Sequence, residues 1–134
     1  MEVRAKNYGT VMLIAIFAIA LLSAIVIGML EMNTEELQLM RNQIFSVYAI
    51  AIAEAGLNDA LAEIRSDDTW TMGFTNKPYN NGLYTVAVAG SLPNRTLTST
   101  GTSSQGFLAR VEADITVGNS SPYVIRIDNL RINE

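Results

Sequence analysis

The uncharged run at residues 10–30, TVMLIAIFAIALLSAIVIGML, limits what this chain can fold into more than any other feature. It contains no proline, and its hydroxyl groups belong to Thr10 and Ser23. As a helix it rises roughly 31 Å at ~1.5 Å per residue, which matches the ~30 Å hydrocarbon core of a bilayer. Because no polar face recurs along it, the run has to lie in lipid or among other apolar helices.

The residues that flank the run predict its orientation in a membrane. Arg4 and Lys6 precede it and Glu31 follows it. Basic residues favour retention of the N-terminus in the cytoplasm, so the rest of the chain should face outward. The run is longer than the apolar part of an ordinary secretory signal, and no small-residue cleavage site follows Leu30. We interpret residues 1–9 as a short basic segment and residues 10–30 as a transmembrane or filament-core helix.

Composition restricts the chemistry that is available to the chain. Its 134 residues suffice for one domain and one long helix, but not for two hydrophobic cores. It has no histidine and no cysteine, so it lacks the commonest general base, a thiol nucleophile and the usual transition-metal ligands. The formal net charge is -4, without a clustered basic face, which argues against a nucleic-acid partner. We therefore expect no enzymatic activity, no cofactor and no bound metal.

From residue 31 to residue 65 the sequence keeps a helical period but becomes amphipathic. Apolar residues recur at steps of three and four, at Leu37, Met40, Ile44, Tyr48, Ala51, Ala55, Leu61 and Ile64. No proline interrupts the pattern before Pro78, so one helix should continue to about Arg65 and span ~80 Å. A compact domain of this mass is only ~25–30 Å across. Most of this helix must therefore be covered by something outside its own subunit.

Two sets of residues are candidates for contact between helices of different subunits. Ala20, Ala24 and Gly28 are four residues apart, which places small side chains in one stripe where another helix can approach closely. Such a stripe also arises by chance, because alanine and glycine are common in membrane helices. The second set extends the contact surface along the amphipathic half and consists of Leu37, Met40, Ile44 and Tyr48.

Residues 66–134 are predicted to form a small antiparallel β domain. Alternating apolar residues predict four strands, at residues 83–89, 96–100, 107–117 and from 123 onward, with a bulge near Asn129. The segments between them predict a turn at residues 76–82 and a flexible loop at residues 91–106.

The β domain needs cover on its apolar face, and the end of the helix can supply it. Leu57, Leu61 and Ile64 should pack on the sheet. The apolar alternation Trp70, Met72 and Phe74 should pack back on the helix. The predicted fold class is α+β, with a long N-terminal helix packed on a four-stranded antiparallel sheet.

Three charged residues and two sequons are candidates for roles in an assembly. Glu54 lies in the apolar stretch AIAIAEAGL, where it either faces solvent or pairs with Arg41 or Arg65 of a neighbouring copy. Asn94 and Asn119 begin glycosylation sequons, in segments expected to be exposed outside the cell.

The order of these features resembles the type IV pilin superfamily, with the closer likeness to PilX-type minor pilins and to the minor pseudopilins of general secretion. The residues that carry it are the segment AEAGL at residues 53–57, GLYTV at residues 82–86 and STG at residues 99–101. Each motif alone is weak, and their order and spacing along nearly the whole chain are moderately specific.

The resemblance implies that a leader peptidase cuts between Gly9 and Thr10, that the new N-terminus is methylated, and that the assembly machinery moves subunits from the membrane into a helical filament. Most major pilins carry a glutamate five residues into the mature chain. This chain has Ile14 there, which favours a minor or atypical subunit.

Two functions therefore remain open at the level of sequence. The first is a structural subunit of an extracellular pilus-like filament, held in the cytoplasmic membrane before assembly and then exposed on the cell surface. It requires copies of itself or related pilins as partners. The second is a single-pass membrane-anchored protein whose outer β domain binds a ligand. The sequence does not distinguish adhesion, motility, DNA uptake and secretion.

Overall fold

A computed structural model of the chain describes residues 3–133. One helix, α1 (Val3–Ser66), precedes five strands, which are β1 (Phe74–Tyr79), β2 (Gly82–Ser91), β3 (Asn94–Thr102), β4 (Leu108–Val117) and β5 (Ile125–Asn133). The predicted α+β class is confirmed. The chain divides into two compact units, Met1–Arg41 and Asn42–Glu134.

The N-terminal unit, in the part that the structure describes, consists of α1 alone. Its helix tolerates Ser23 and Thr34 because the hydroxyl groups of these two residues are satisfied within the helix. Ser23 Oγ donates to the Ile19 carbonyl oxygen at 2.8 Å, and Thr34 Oγ1 donates to the Glu31 carbonyl oxygen at 2.7 Å. Bonds of this kind remove the cost of placing a polar group on an otherwise apolar helix.

The C-terminal unit contains a sheet in which neighbouring strands pair antiparallel in the order β1-β2-β3-β4-β5. The predicted count of four strands is wrong, because β1 occupies most of the segment that was predicted as a turn. Only Asn80 and Asn81 form that turn, and both have positive φ angles, which a tight two-residue hairpin requires. Asn76 also has a positive φ, and the pairing register shifts between Phe74 and Lys77. This irregularity concealed the strand in the sequence.

The segment predicted as a flexible loop, residues 91–106, contains β3. This strand is longer than the predicted residues 96–100 because its alternation includes Arg95 and Gly101, whose burial a hydrophobicity pattern does not reveal. The remaining turn is compact. Gly106 N donates to the Ser103 carbonyl oxygen at 3.0 Å, and Phe107 N donates to Ser103 Oγ at 3.1 Å.

The predicted bulge in the last strand is confirmed. Asp114 pairs with Asn129, whereas the next residue of β4, Ile115, pairs with Ile127, so Asp128 is the extra residue. The bulge keeps apolar residues on the core side of the sheet before and after it. The strand begins at Ile125 and not at Tyr123.

The core of the C-terminal unit lies between the second half of α1 and one face of the sheet. The helix contributes Ala49, Ile52, Ala53, Leu57, Ala60 and Ile64, and the strands contribute mainly Tyr84, Val86, Leu97, Val111, Ala113, Ile115 and Val117. Leu57 and Ile64 are buried as predicted, and Leu61 is partly buried. Trp70 and Phe74 also pack against this core, whereas Met72 is 91% exposed, so that part of the prediction is wrong.

Two glycines permit close contact between α1 and the sheet. A Cβ on Gly101 would collide with the backbone of Ala49 and Ala53, and one on Gly56 would collide with the side chains of Ser99 and Tyr84. At Gly101 the helix backbone lies directly against the strand backbone, and at Gly56 it lies against the side chains of Ser99 and Tyr84.

We predict that Gly101→Ala lowers the free energy of unfolding of the C-terminal unit by about 2 kcal/mol, because neither backbone can move aside for a methyl group. Denaturation of the full chain in detergent, followed by Trp70 fluorescence, measures the change.

Gly28→Ala is the matched control, since no atom lies within 4 Å of its added Cβ and alanine favours the helix by ~1 kcal/mol. Equal stability of the Gly101→Ala variant and the wild type would contradict the close backbone contact.

Candidate functional site

The candidate functional site is the apolar surface of α1 in the N-terminal unit, at residues 8–40. Its large apolar side chains are 47–71% exposed, and they come from every side of the helix. Burying one such side chain fully is worth ~1.5–3 kcal/mol, so a surface of this extent strongly favours association or a lipid environment. Of the described residues, α1 is long and apolar enough to cross a membrane. We call the exposed side chains of residues 8–40 the apolar helix surface.

The predicted small-residue stripe lies on this surface. Ala20 and Ala24 are exposed, and no atom lies within 4 Å of the position that a Cβ would take on Gly28. Nothing in the N-terminal unit therefore obstructs another helix from approaching along the stripe. Its role in helix–helix contact stays a prediction.

The second predicted set is divided between the two units. Leu37 and Met40 are exposed in the N-terminal unit, and Ile44 and Tyr48 are exposed in the C-terminal unit. Val47, which the sequence analysis did not single out, is exposed beside them. The fully buried face of this helix begins at Ala49. Before it, Phe45 is half-buried and stacks on Phe107, whereas Ile44, Val47 and Tyr48 are exposed.

A further apolar set escaped the sequence analysis. Ile127, Leu130 and Ile132 pair with Ile115, Ala113 and Val111 of β4, so they lie on the core side of the sheet. They are nevertheless 47–51% exposed, although their β4 neighbours are fully buried. The alternation in the sequence signals an apolar face here, and only the position of β5 at the sheet edge shows that the face is uncovered. We call these three residues the β5 apolar row.

The charged residues predicted to pair between subunits are all exposed. Among the described residues, neither Glu54 nor Arg41 nor Arg65 forms an ion pair within the chain. The observed ion pairs lie elsewhere, mainly on the outer face of the sheet, where Arg131 Nη2 lies 3.0 Å from Asp114 Oδ2. The inter-subunit pairing of Glu54 stays a prediction.

One polar cluster connects α1 to β1 and β2. Asp59 Oδ2 accepts hydrogen bonds from Lys77 Nζ and from the Tyr84 hydroxyl. The bond from Lys77, followed by the bond from Tyr84, lowers the pKa of the Asp59 carboxyl below its ordinary value of 3.8. The pKa of Lys77 is raised by the same bond to Asp59. Burial of the Tyr84 side chain is the main cause of the raised pKa of its hydroxyl group. This cluster attaches the edge strand β1 to the helix and shows no arrangement for catalysis.

The residues predicted to be cleaved or glycosylated are exposed in the structure. Asn94 is exposed at the start of β3, where its Oδ1 accepts a hydrogen bond from Thr116 Oγ1 at 3.2 Å, and Asn119 is exposed between β4 and β5. Gly9 and Thr10 are exposed within α1. Met1 and Glu2 of the predicted leader lie outside the described residues. Glycosylation and cleavage both stay predictions.

No cluster of three or more potential metal ligands occurs among the described residues.

Comparison with family models, with curated proteins and with solved structures finds no match to this chain.

We predict that Asp59→Asn lowers the free energy of unfolding at pH 7 by roughly 0.5–1 kcal/mol, the range for partly exposed ion pairs. Because the pKa of Asp59 is depressed in the folded chain, its contribution is complete above the unfolded value of 3.8 and is lost as the pH falls through the folded value. The difference between wild type and variant should therefore be largest well above pH 3.8 and shrink progressively as the pH falls below it.

Urea denaturation of both proteins at pH 7 and pH 3 measures this difference. Glu54→Gln is the control on the same helix, because Glu54 has no ion pair among the described residues, and it should change stability little at either pH. A difference for Asp59→Asn that stays the same at both values would contradict the assigned role of the carboxylate.

Proposed function

We propose that this chain is the structural subunit of an extracellular helical filament of the type IV pilin kind, which polymerises through the apolar helix surface. The observation that carries the proposal is the exposure of that surface along residues 8–40, without cover from its own unit. Lipid covers such a helix before assembly, and the helices of other copies cover it afterwards. Both environments are apolar, so transfer between them costs little hydrophobic free energy.

The length of the exposed apolar surface favours a polymer over a simple membrane anchor. A bilayer covers ~20 helical residues, which the run at residues 10–30 already supplies. Exposed apolar side chains nevertheless continue beyond Glu31, at Leu37, Leu39, Met40, Ile44, Val47 and Tyr48. In water these side chains would form an uncovered patch, whereas neighbouring helices in a filament would cover them.

A single-pass membrane protein with an outer binding domain is the second candidate. It is favoured by the same helix, because one apolar segment near the N-terminus also suits an anchor. The two candidates differ in where the mature protein is found. The anchor stays in the membrane fraction, and the filament subunit is recovered from the cell surface by shearing.

The intact mass of the protein in sheared surface material tests the proposal first. A mass that begins at Thr10 with one added methyl group would support a processed pilin-type subunit. A mass that retains Met1 would support a filament without the usual processing. Recovery from the membrane fraction alone would contradict the filament and support the anchored protein.

We predict that Ala24→Asp reduces the polymer in the sheared fraction at least tenfold. A carboxylate in the middle of the apolar run has no partner in a helix bundle, and its burial costs several kcal/mol. Quantitative immunoblotting of sheared and membrane fractions measures the loss.

Ala24→Leu is the matched control, since it changes size without introducing a charge. The thermal midpoint of the β domain should be unchanged in both variants, because residue 24 lies outside the C-terminal unit. Wild-type amounts of polymer from Ala24→Asp would contradict the proposal.

A further inference from the structure

The β5 apolar row is unusual because it faces the core side of the sheet without being part of the core. Its side chains are 47–51% exposed, whereas the residues that pair with them on β4 are at most 1% exposed. The change in burial occurs between two adjacent strands. On β5 the helix covers Ile125, which packs against the core, and leaves the three residues of the β5 apolar row without cover.

The path of α1 across the sheet explains this boundary. The helix lies over β3 and the neighbouring β2, since the backbones of Ala49 and Ala53 lie against Gly101 of β3, and Gly56 lies against Ser99 of β3 and Tyr84 of β2. Neighbouring strands are ~4.8 Å apart, so β5 lies ~10 Å from β3 across the sheet. Helices packed side by side are separated by ~8–10 Å. A second helix laid beside α1 on this face would therefore lie over β5.

We propose that the β5 apolar row receives the uncharged helical segment, residues 10–30, of a second copy of this chain. The row presents only aliphatic side chains. A helical segment with charged residues would leave a charge without a partner in this position, which is costly. Residues 10–30 form a longer uncharged helical stretch than residues 42–53, part of which is already buried against the chain's own sheet, whereas residues 31–41 carry Glu31, Glu35, Glu36 and Arg41.

The size of the row identifies the occupant as a second copy and not as a free soluble partner. Three half-exposed aliphatic side chains offer on the order of 150 Å² of apolar area, because the burial of one whole side chain is worth ~1.5–3 kcal/mol at ~25 cal/mol per Å². A stable pairwise interface needs ~800 Å² from each partner. The row can therefore hold only a partner that another surface has already brought close. In the proposed filament the apolar helix surface does this, so the inference rests on the proposed function and extends it to a specific contact.

The experiment places the photocrosslinker p-benzoylphenylalanine at Leu130 of the full chain, in the cells that produce it. After irradiation, the sheared and membrane fractions are separated, and crosslinked peptides are mapped by mass spectrometry. We expect a product of twice the subunit mass in the sheared fraction, joined to a residue between 10 and 30. The matched control carries the crosslinker at Thr98, which pairs with Glu112 on the outer face, and should give no product with that segment.

The outcomes separate this inference from the proposed function. Sheared polymer without a product at Leu130, or with a product to another protein or another segment of the chain, overturns the docking contact and leaves the filament intact. A dimer linked to residues 10–30 in the membrane fraction, without any sheared polymer, supports the contact and overturns the filament. Absence of both polymer and product overturns both.

A second measurement tests the same contact without a crosslinker, which could itself disturb the packing at Leu130. Leu130→Asn should lower the amount of sheared polymer several-fold and leave the thermal midpoint of the β domain nearly unchanged, because Leu130 is half exposed in the single chain. Val111→Asn, on the buried neighbouring strand, should instead unfold the domain. Wild-type polymer from Leu130→Asn would overturn the docking contact.

Discussion

The close approach of α1 to β3 is the interaction on which the rest of the C-terminal unit depends. It is possible because Gly56 and Gly101 have no side chain at the points where helix and strand meet. The buried helix residues accordingly include Ala49, Ala53 and Ala60. The larger buried side chains come from both the helix and the sheet. A helix held this closely over β3 fixes which strands it covers. The burial of β4 and the exposure of the β5 apolar row both follow from this position.

The two parts of the helix obtain apolar cover in different ways. Residues 49–64 bury one face against the sheet, so this segment obtains its cover inside the chain. Residues 8–40 expose apolar side chains on every side and obtain no cover from their own unit. The hydrophobic effect is not directional, so lipid and neighbouring helices satisfy this second segment equally well. This property supports the proposed transfer of the chain from a membrane into an assembly of its own copies.

The two faces of the sheet differ in a way that agrees with such an assembly. The outer face carries short polar interactions, such as Thr96 Oγ1 donating to Asp114 Oδ1 at 2.8 Å and Arg126 Nε lying 2.6 Å from Asp128 Oδ1. Exposed pairs of this type contribute little to stability, and they keep a surface soluble. The inner face is mainly apolar from β2 to β5, apart from Arg95 and Ser99 of β3, and the β5 apolar row on it lacks cover. Another molecule that makes an apolar contact with this face of the sheet would therefore meet it at the β5 edge.

Much of this architecture was available from local patterns in the chain. The uncharged run, the helical period that follows it and the strict alternation of residues 107–117 predicted the helix, its length and the central strand. The bulge in β5 was also predictable, because the apolar alternation changes phase near Asn129. The first strand was not, since Asn76 and Pro78 are typical of turns and the register shift hides its alternation. The burial of Arg95 and Gly101 gave no hydrophobic signal at all, so β3 was predicted too short.

The sequence by itself determined that a long helix must find apolar cover outside its own unit, because no charge or proline interrupts residues 10–30. It also predicted that Leu57, Leu61 and Ile64 meet the sheet, but it did not determine how closely the helix approaches the strands. The tertiary structure decided this through Gly101, whose missing side chain admits the backbone of Ala49 and Ala53. It also decided that the β5 apolar row is exposed, because a single helix is narrower than a five-stranded sheet.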